Sequence, residues 1–160
     1  MPEFVMEGRD HAARMESGFV LGFIEALFWV ETSPAWGSGD WFSDECRAAQ
    51  EAGTADGSLP GDVGYADLHP DSLAAIRADC EAWQAEHADI LEAAYATGYG
   101  ENQAGIDYFL TRNGHGAGFW DRDLGDIGDK LSDACRYRET YTFFGDHVAH
   151  GDAPFVHVDL

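Results

Sequence analysis

Lysine is almost missing from this chain: Lys130 stands alone among nine basic residues in 160. Those nine face thirty aspartates and glutamates, for a formal net charge of -21 at pH 7. So few cations exclude a basic stripe, and so many anions repel phosphate backbones, so no direct nucleic-acid binding is expected. Anionic lipid surfaces are excluded on the same ground. Cysteine is scarce too. Cys46, Cys80 and Cys135 form no CxxC pair, and an odd, scattered set argues against a disulfide framework. These side chains fit buried thiols in a reducing cytoplasm. The most apolar run, Gly18 to Val30, is too short to cross a bilayer and contains Glu25. No basic region followed by an apolar one opens the chain, so no secretory signal is expected. Neither a Walker loop nor a dinucleotide fingerprint is present, and no cofactor is expected.

What the chain does contain is core material. Apolar residues make up 45% and aromatics 13%, enough for one domain over residues 1–160. Residues 1–11 are expected to be a mobile lead-in. Residues 34–66 form an irregular, loop-rich insertion where Gly, Ser, Asp and Pro dominate. A short helix over Ser43–Ala52 is expected inside it. The main helices are predicted by apolar residues at spacings of three and four. The first runs from about Ala12 to Glu31, with rows Phe19/Phe23/Leu27 and Val20/Ile24/Phe28; Gly18 and Gly22 weaken it but allow close packing. The second runs unbroken from Asp71 to Thr97, with Leu73, Ile76, Cys80, Trp83, His87, Ile90 and Ala94 as its stripe. The third covers Asn102 to Arg112 and ends at Asn113-Gly114, in preference to two strands flanking a glycine loop. The fourth covers about Leu124 to Tyr137, with Leu124, Ile127, Leu131 and Ala134/Cys135 inward. Aromatic and β-branched residues at Glu139–Phe144 and Phe155–Val158 then predict a β-hairpin. About four helices around one core, followed by a small antiparallel hairpin, make an α+β fold.

The most distinctive stretch is Asn113 to Arg122. Its candidate functional residues are Asn113, Gly114, His115, Gly116, Gly118, Trp120, Asp121 and Arg122. Closely spaced glycines let the backbone turn sharply and approach another group. His115 with a nearby Asp has the elements of a general base, yet no partner nucleophile is evident. The structural alternative is a loop that caps the third helix, buries Phe119 and Trp120, and pairs Arg122 with an acid. In the tail, Asp146, His147, His150, Asp152 and His157 include an HxxH spacing. A metal needs three or four such ligands in closed geometry, and residues of this kind more often serve as polar turn chemistry. No metal and no catalytic residue is therefore assigned, and the chain is not read as an enzyme.

The acidity fits three roles: a solvated surface, adaptation to salt, or imitation of nucleic acid in a site built to hold phosphates. Two sets of carboxylates have helix-compatible spacing and could each form a ridge. One is Asp79, Glu81, Glu86, Asp89 and Glu92. The other is Asp121, Asp123, Asp126, Asp129 and Asp133.

The block Glu101-Asn-Gln-Ala-Gly-Ile-Asp-Tyr-Phe-Leu-Thr-Arg-Asn-Gly-His-Gly-Ala-Gly-Phe-Trp-Asp-Arg122, followed by Leu124-Gly-Asp-Ile-Gly-Asp-Lys-Leu131, resembles a family of small acidic proteins encoded by bacteriophages and prophages. Leu73-Ala-Ala-Ile-Arg-Ala-Asp-Cys80, the Phe19-to-Leu27 helix and the Tyr141–Gly145 strand are similar in style to that family, and residues 34–66 lie outside the likeness. The resemblance implies a source and a setting, with no catalytic residues attached. Phage genomes carry many short accessory proteins that bind host factors. The expectation is thus an accessory protein acting inside the bacterial host cell on a host protein with a basic surface, in the sharpest form as a nucleic-acid mimic that blocks a defence or DNA-binding protein. The alternatives are a small metal-binding protein or enzyme using His115 or the tail histidines, and a regulatory or structural phage protein whose acidity serves solubility only.

Overall fold

The computed structural model describes residues 12–30, 48, 63–145 and 155–160. Its α-helices are α1 (Gly18–Val30), α2 (Pro70–Glu86), α3 (Ala88–Tyr95), α4 (Glu101–Arg112) and α5 (Asp126–Ala134). Single 3-10 turns occupy Ala13–Met15, Tyr65–Asp67 and Phe119–Asp121. Strands β1 (Tyr141–Gly145) and β2 (Phe155–Asp159) pair antiparallel, with Phe143 opposite His157. The class is α+β, with five helices among the described residues where four were expected. The lead-in at 1–11 and most of 34–66 lie outside the described residues. So does the Ser43–Ala52 helix, except for Ala48, which is helical.

The extra helix comes from a bend. His87 leaves helical geometry at φ -116°, ψ 24° and ends α2 while opening α3. Two backbone bonds carry across the joint: His87 N–H donates to the Trp83 carbonyl, and Leu91 N–H donates to that of His87. Neither proline nor glycine marks the place, so apolar spacing ran straight through it. Ile76, Cys80, Trp83 and, beyond the bend, Ala94 are buried as the stripe requires; the departure is that Leu91 is buried and Ile90 only half-buried. The last helix is shorter than expected, Asp126–Ala134; Leu131 is fully buried, and Leu124, Ile127, Ala134 and Cys135 are partly buried against the core.

The centre of the molecule is α1 crossing α4. Two glycines make the crossing. A Cβ on Gly22 would fall on the Asn102 carbonyl oxygen and lie 3.0 Å from its carbon. A Cβ on Gly105 would fall on the Phe19 carbonyl oxygen and lie 2.8 Å from its carbon. The backbones therefore touch directly, and the large side chains beside the glycines interdigitate. Phe19, Phe23 and Phe109 are fully buried, each such side chain contributing about 1.5–3 kcal/mol of transfer free energy. Tyr108 stacks on Trp83 at 4.4 Å, and Trp83 stacks on Phe119 at 5.8 Å.

The hairpin docks on the start of α2. His69 N–H donates to the Val156 carbonyl at 2.9 Å, and Val158 N–H donates to the buried Ser72 hydroxyl at 3.0 Å. His69 also caps α2, its Nδ1 accepting from Asp71 N–H, with Pro70 at the first helical position. No described helix is long and apolar enough to cross a membrane.

Candidate functional site

The loop after α4 starts as a helix cap. Gly114 takes φ +70°, a left-handed conformation that favours glycine. Its N–H donates to the Thr111 carbonyl while His115 N–H donates to that of Leu110, which is the Schellman pattern. Asn113 ties this cap to the approach of β1: its Oδ1 accepts from Thr140 N–H at 2.6 Å, and its Nδ2 donates to the Phe109 carbonyl at 2.8 Å. Tyr137 lies across Gly114, and Gly118 lies under the Trp120 ring. Phe119 is fully buried as expected, but Trp120 is 44% exposed. The 3-10 turn at Phe119–Asp121 is the reason: adjacent residues on so tight a turn cannot both point inward. The expectation of a buried Trp120 is corrected accordingly. His115 is half-buried, Gly116 and Asp121 are exposed, and Arg122 does find an acid, Asp107.

That pair belongs to a repeated unit. Asp107, fully buried on α4, accepts from Arg122 Nη2 at 2.6 Å and Nε at 2.8 Å, from Tyr99 Oη at 2.6 Å, and from Gln103. Asp79 on α2 accepts from Arg112 Nη1 at 2.6 Å and from Tyr108 Oη at 2.9 Å. Glu16 accepts from Arg77 and from Tyr65 Oη. Each unit is one carboxylate shared by a guanidinium and a phenol. Burial opposes ionisation of Glu16, but the Arg77 and Tyr65 bonds outweigh it and hold the carboxyl below its ordinary range. Burial raises the Tyr65 hydroxyl to about 12, helped by its bond to Glu16. Tyr99 and Tyr108 are pushed up as well, chiefly by burial.

Asp79 is thereby displaced from the acidic face expected of it, turned inward by Arg112 and half-buried. Arg112 is itself only 2% exposed, its guanidinium 5.4 Å over the Tyr108 ring, and its Nη2 has no hydrogen-bond partner among the described residues. It lines a cleft of about 460 Å³ whose other walls include Trp83, Tyr108, His87, Arg136 and Arg138, with Glu86 and Asp133 also contributing. Arg138 Nη1 stands 3.7 Å from the same Asp79 carboxylate. No local sequence pattern marks this cleft. The available signal was Arg112 on the inward face of a helix, four residues after Tyr108, with Arg136 and Arg138 close together in a chain so poor in cations.

The chain matches no family model, no curated protein and no solved structure.

The remaining acidic candidates sit outside. Glu81, Glu86, Asp89 and Glu92 are exposed, as are Asp121, Asp123, Asp126, Asp129 and Asp133. The bend at His87 divides the first set, and α3, carrying Asp89 and Glu92, packs against α5, carrying Asp126, Asp129 and Asp133. Asp126 and Asp129 occupy the first turn of α5, where carboxylates also favour the helix dipole. Among the tail histidines, His157 is buried in β2, its Nε2 bonded to the Gly145 carbonyl. His147, His150 and Asp152 lie outside the described residues, and no metal-binding group occurs among those described. Cys80 and Cys135 are free thiols, Cys80 buried and Cys135 half-buried; burial raises the Cys135 thiol to about 12. Cys46 lies outside the described residues.

Proposed function

We propose that this chain is an interaction protein, of the kind phages use as accessory factors, that engages a basic protein surface through the carboxylates of α3 and α5. One observation carries the proposal: two packed helices present Asp89, Glu92, Asp126, Asp129 and Asp133 to solvent, while Arg77, Arg112 and Arg122 are each paired with a carboxylate of the same chain. Each pair neutralises one cation with one carboxylate, so the net charge of -21 is carried by the remaining groups, with few free cations to interrupt it. Such a surface steers toward positive partners and competes for sites that hold phosphates.

The expected outcome is a partner from bacterial lysate that duplex DNA displaces and that salt releases between about 0.1 and 1 M, as the Debye length falls from ~10 to ~3 Å. Reversing Asp89, Glu92, Asp126 and Asp129 to lysine should weaken capture at least tenfold. The protein itself should not shift duplex DNA in a gel. Full affinity in the charge-reversed protein would sink the proposal and leave the acidity as a trait of solubility or of α5 helix stability.

A further inference from the structure

Among the described residues Met15, Trp29, Trp120 and Tyr137 are large, apolar and exposed. Trp120 is the one that adjoins the carboxylates of α5. It follows Phe119, whose carbonyl α5 touches: a Cβ on Gly128 would lie 2.8 Å from that oxygen. Asp126 and Asp129 flank Gly128 in the helix, and Asp121 and Asp123 follow the indole along the chain; all four are exposed. Lys130 is the exposed cation of α5, one ammonium against these four carboxylates. The guanidinium nearest in sequence, that of Arg122, is turned onto the buried Asp107 at 2.6 Å. The guanidinium that lies over aromatic rings among the described residues is that of Arg112, on Phe23 and Tyr108, which leaves the face of Trp120 to a ligand. The indole is also held in place. Its six-membered edge rests against Gly118, where an added Cβ would come within 2.6 Å of Cζ3 and 2.9 Å of Cη2. A tryptophan fixed in this way loses little freedom when a partner arrives.

Resting on the reading of α3 and α5 as a docking face, we propose that Trp120 is the aromatic anchor of that face and that the partner segment it takes carries arginine rather than lysine. The carboxylates draw a cation to the turn, and the face of the indole attracts it through the ring quadrupole. A guanidinium is planar and weakly hydrated, so it stacks on the ring while its edge N–H groups reach carboxylates. An ammonium is compact and strongly hydrated, and it must shed more water for the same contact. Carboxylates alone attract both cations; the indole is what separates them. Tryptophan and arginine are also the residues that most often dominate the binding energy of protein interfaces.

The test uses two probes of equal length and charge, a short peptide of alternating glycine and arginine and its glycine–lysine counterpart. Each is titrated into the full chain at physiological salt, with affinity read by calorimetry and contact read from the Trp120 indole N–H in nuclear magnetic resonance spectra. The arginine peptide is expected to shift that N–H and to bind about two- to fivefold more tightly than the lysine peptide, the range of an exposed cation–π contact. Trp120→Leu should abolish the preference while the affinity for the lysine peptide and the helical circular dichroism stay unchanged. Trp120→Phe keeps a weaker aromatic face and should leave an intermediate preference. Equal affinity of the intact protein for the two peptides, or a preference that survives Trp120→Leu, would overturn the inference and leave the acidic face standing. Failure of both peptides to bind would remove the acidic face as a docking surface and the inference with it.

Discussion

Gly105→Ala is expected to cost more than about 3 kcal/mol and to leave a large fraction of the chain unfolded. Overpacking a core by one methyl usually costs about 1–3 kcal/mol, because side chains move aside. Here the obstacle is backbone: the new methyl would meet the Phe19 carbonyl and come within 3.0 Å of the Phe23 nitrogen. A carbonyl inside a helix cannot rotate away without breaking that helix, so α1 and α4 would have to separate. Gly22→Ala meets the Asn102 carbonyl from the opposite side and should behave alike. The controls are Gly100→Ala and Gly116→Ala, where a Cβ meets nothing within 4 Å among the described residues. Against a total stability on the order of 5–15 kcal/mol, urea midpoints separate the two classes easily. A Gly105→Ala protein with the midpoint of the controls would mean the helices are not in backbone contact.

The second large effect belongs to Arg122. Truncation to alanine strands a fully buried carboxylate on Asp107 with only Tyr99 and Gln103 beside it. Removing one partner of a buried pair costs about 3–5 kcal/mol, most of it the penalty of the charge left behind. The double variant Arg122→Ala/Asp107→Ala removes that charge. It should lose less than the two single losses added together, with a coupling of about 0.5–3 kcal/mol. Losses that simply add, or a single Arg122→Ala loss below about 1 kcal/mol, would show that Arg122 does not hold the buried carboxylate.

The elements that were legible in the sequence are those whose signal is local. Apolar rows on α1, the Asn113-Gly114 cap of α4 and the β-branched, aromatic pair of strands all appear where pattern and turn chemistry put them, because side-chain period and left-handed glycine are properties of short segments. The bend at His87 was hidden, since no breaker marks it and spacing alone carries no dihedral angles. Trp120 was misplaced because two adjacent aromatics give no clue to which faces inward. The pairing of Asp79 with Arg112 spans 33 positions and depends on how α2 meets α4. Helical spacing placed Asp79 with the outward carboxylates, and only the packing turns it inward. The cleft is the same case at larger scale: its walls come from α2, α4, α5 and the residues that follow α5, and no window of sequence contains them all.

The carboxylate–guanidinium–phenol units have a consequence on the alkaline side. An ordinary tyrosine hydroxyl ionises near 10, whereas that of Tyr65 is held to about 12 in the folded chain, and those of Tyr99 and Tyr108 are raised as well. A folded-state value above the unfolded one adds stability that is complete below pH 10 and disappears as pH climbs through the folded value. Strong base therefore attacks this protein through its phenols, by rewarding the unfolded chain for giving up protons that the native one retains. Apart from Tyr137 and Tyr141, whose hydroxyls are exposed, phenolate absorbance should rise in step with the loss of helical circular dichroism. Phenolate from the buried tyrosines growing in while the helices stay intact would mean these hydroxyls are not held in place by their carboxylates.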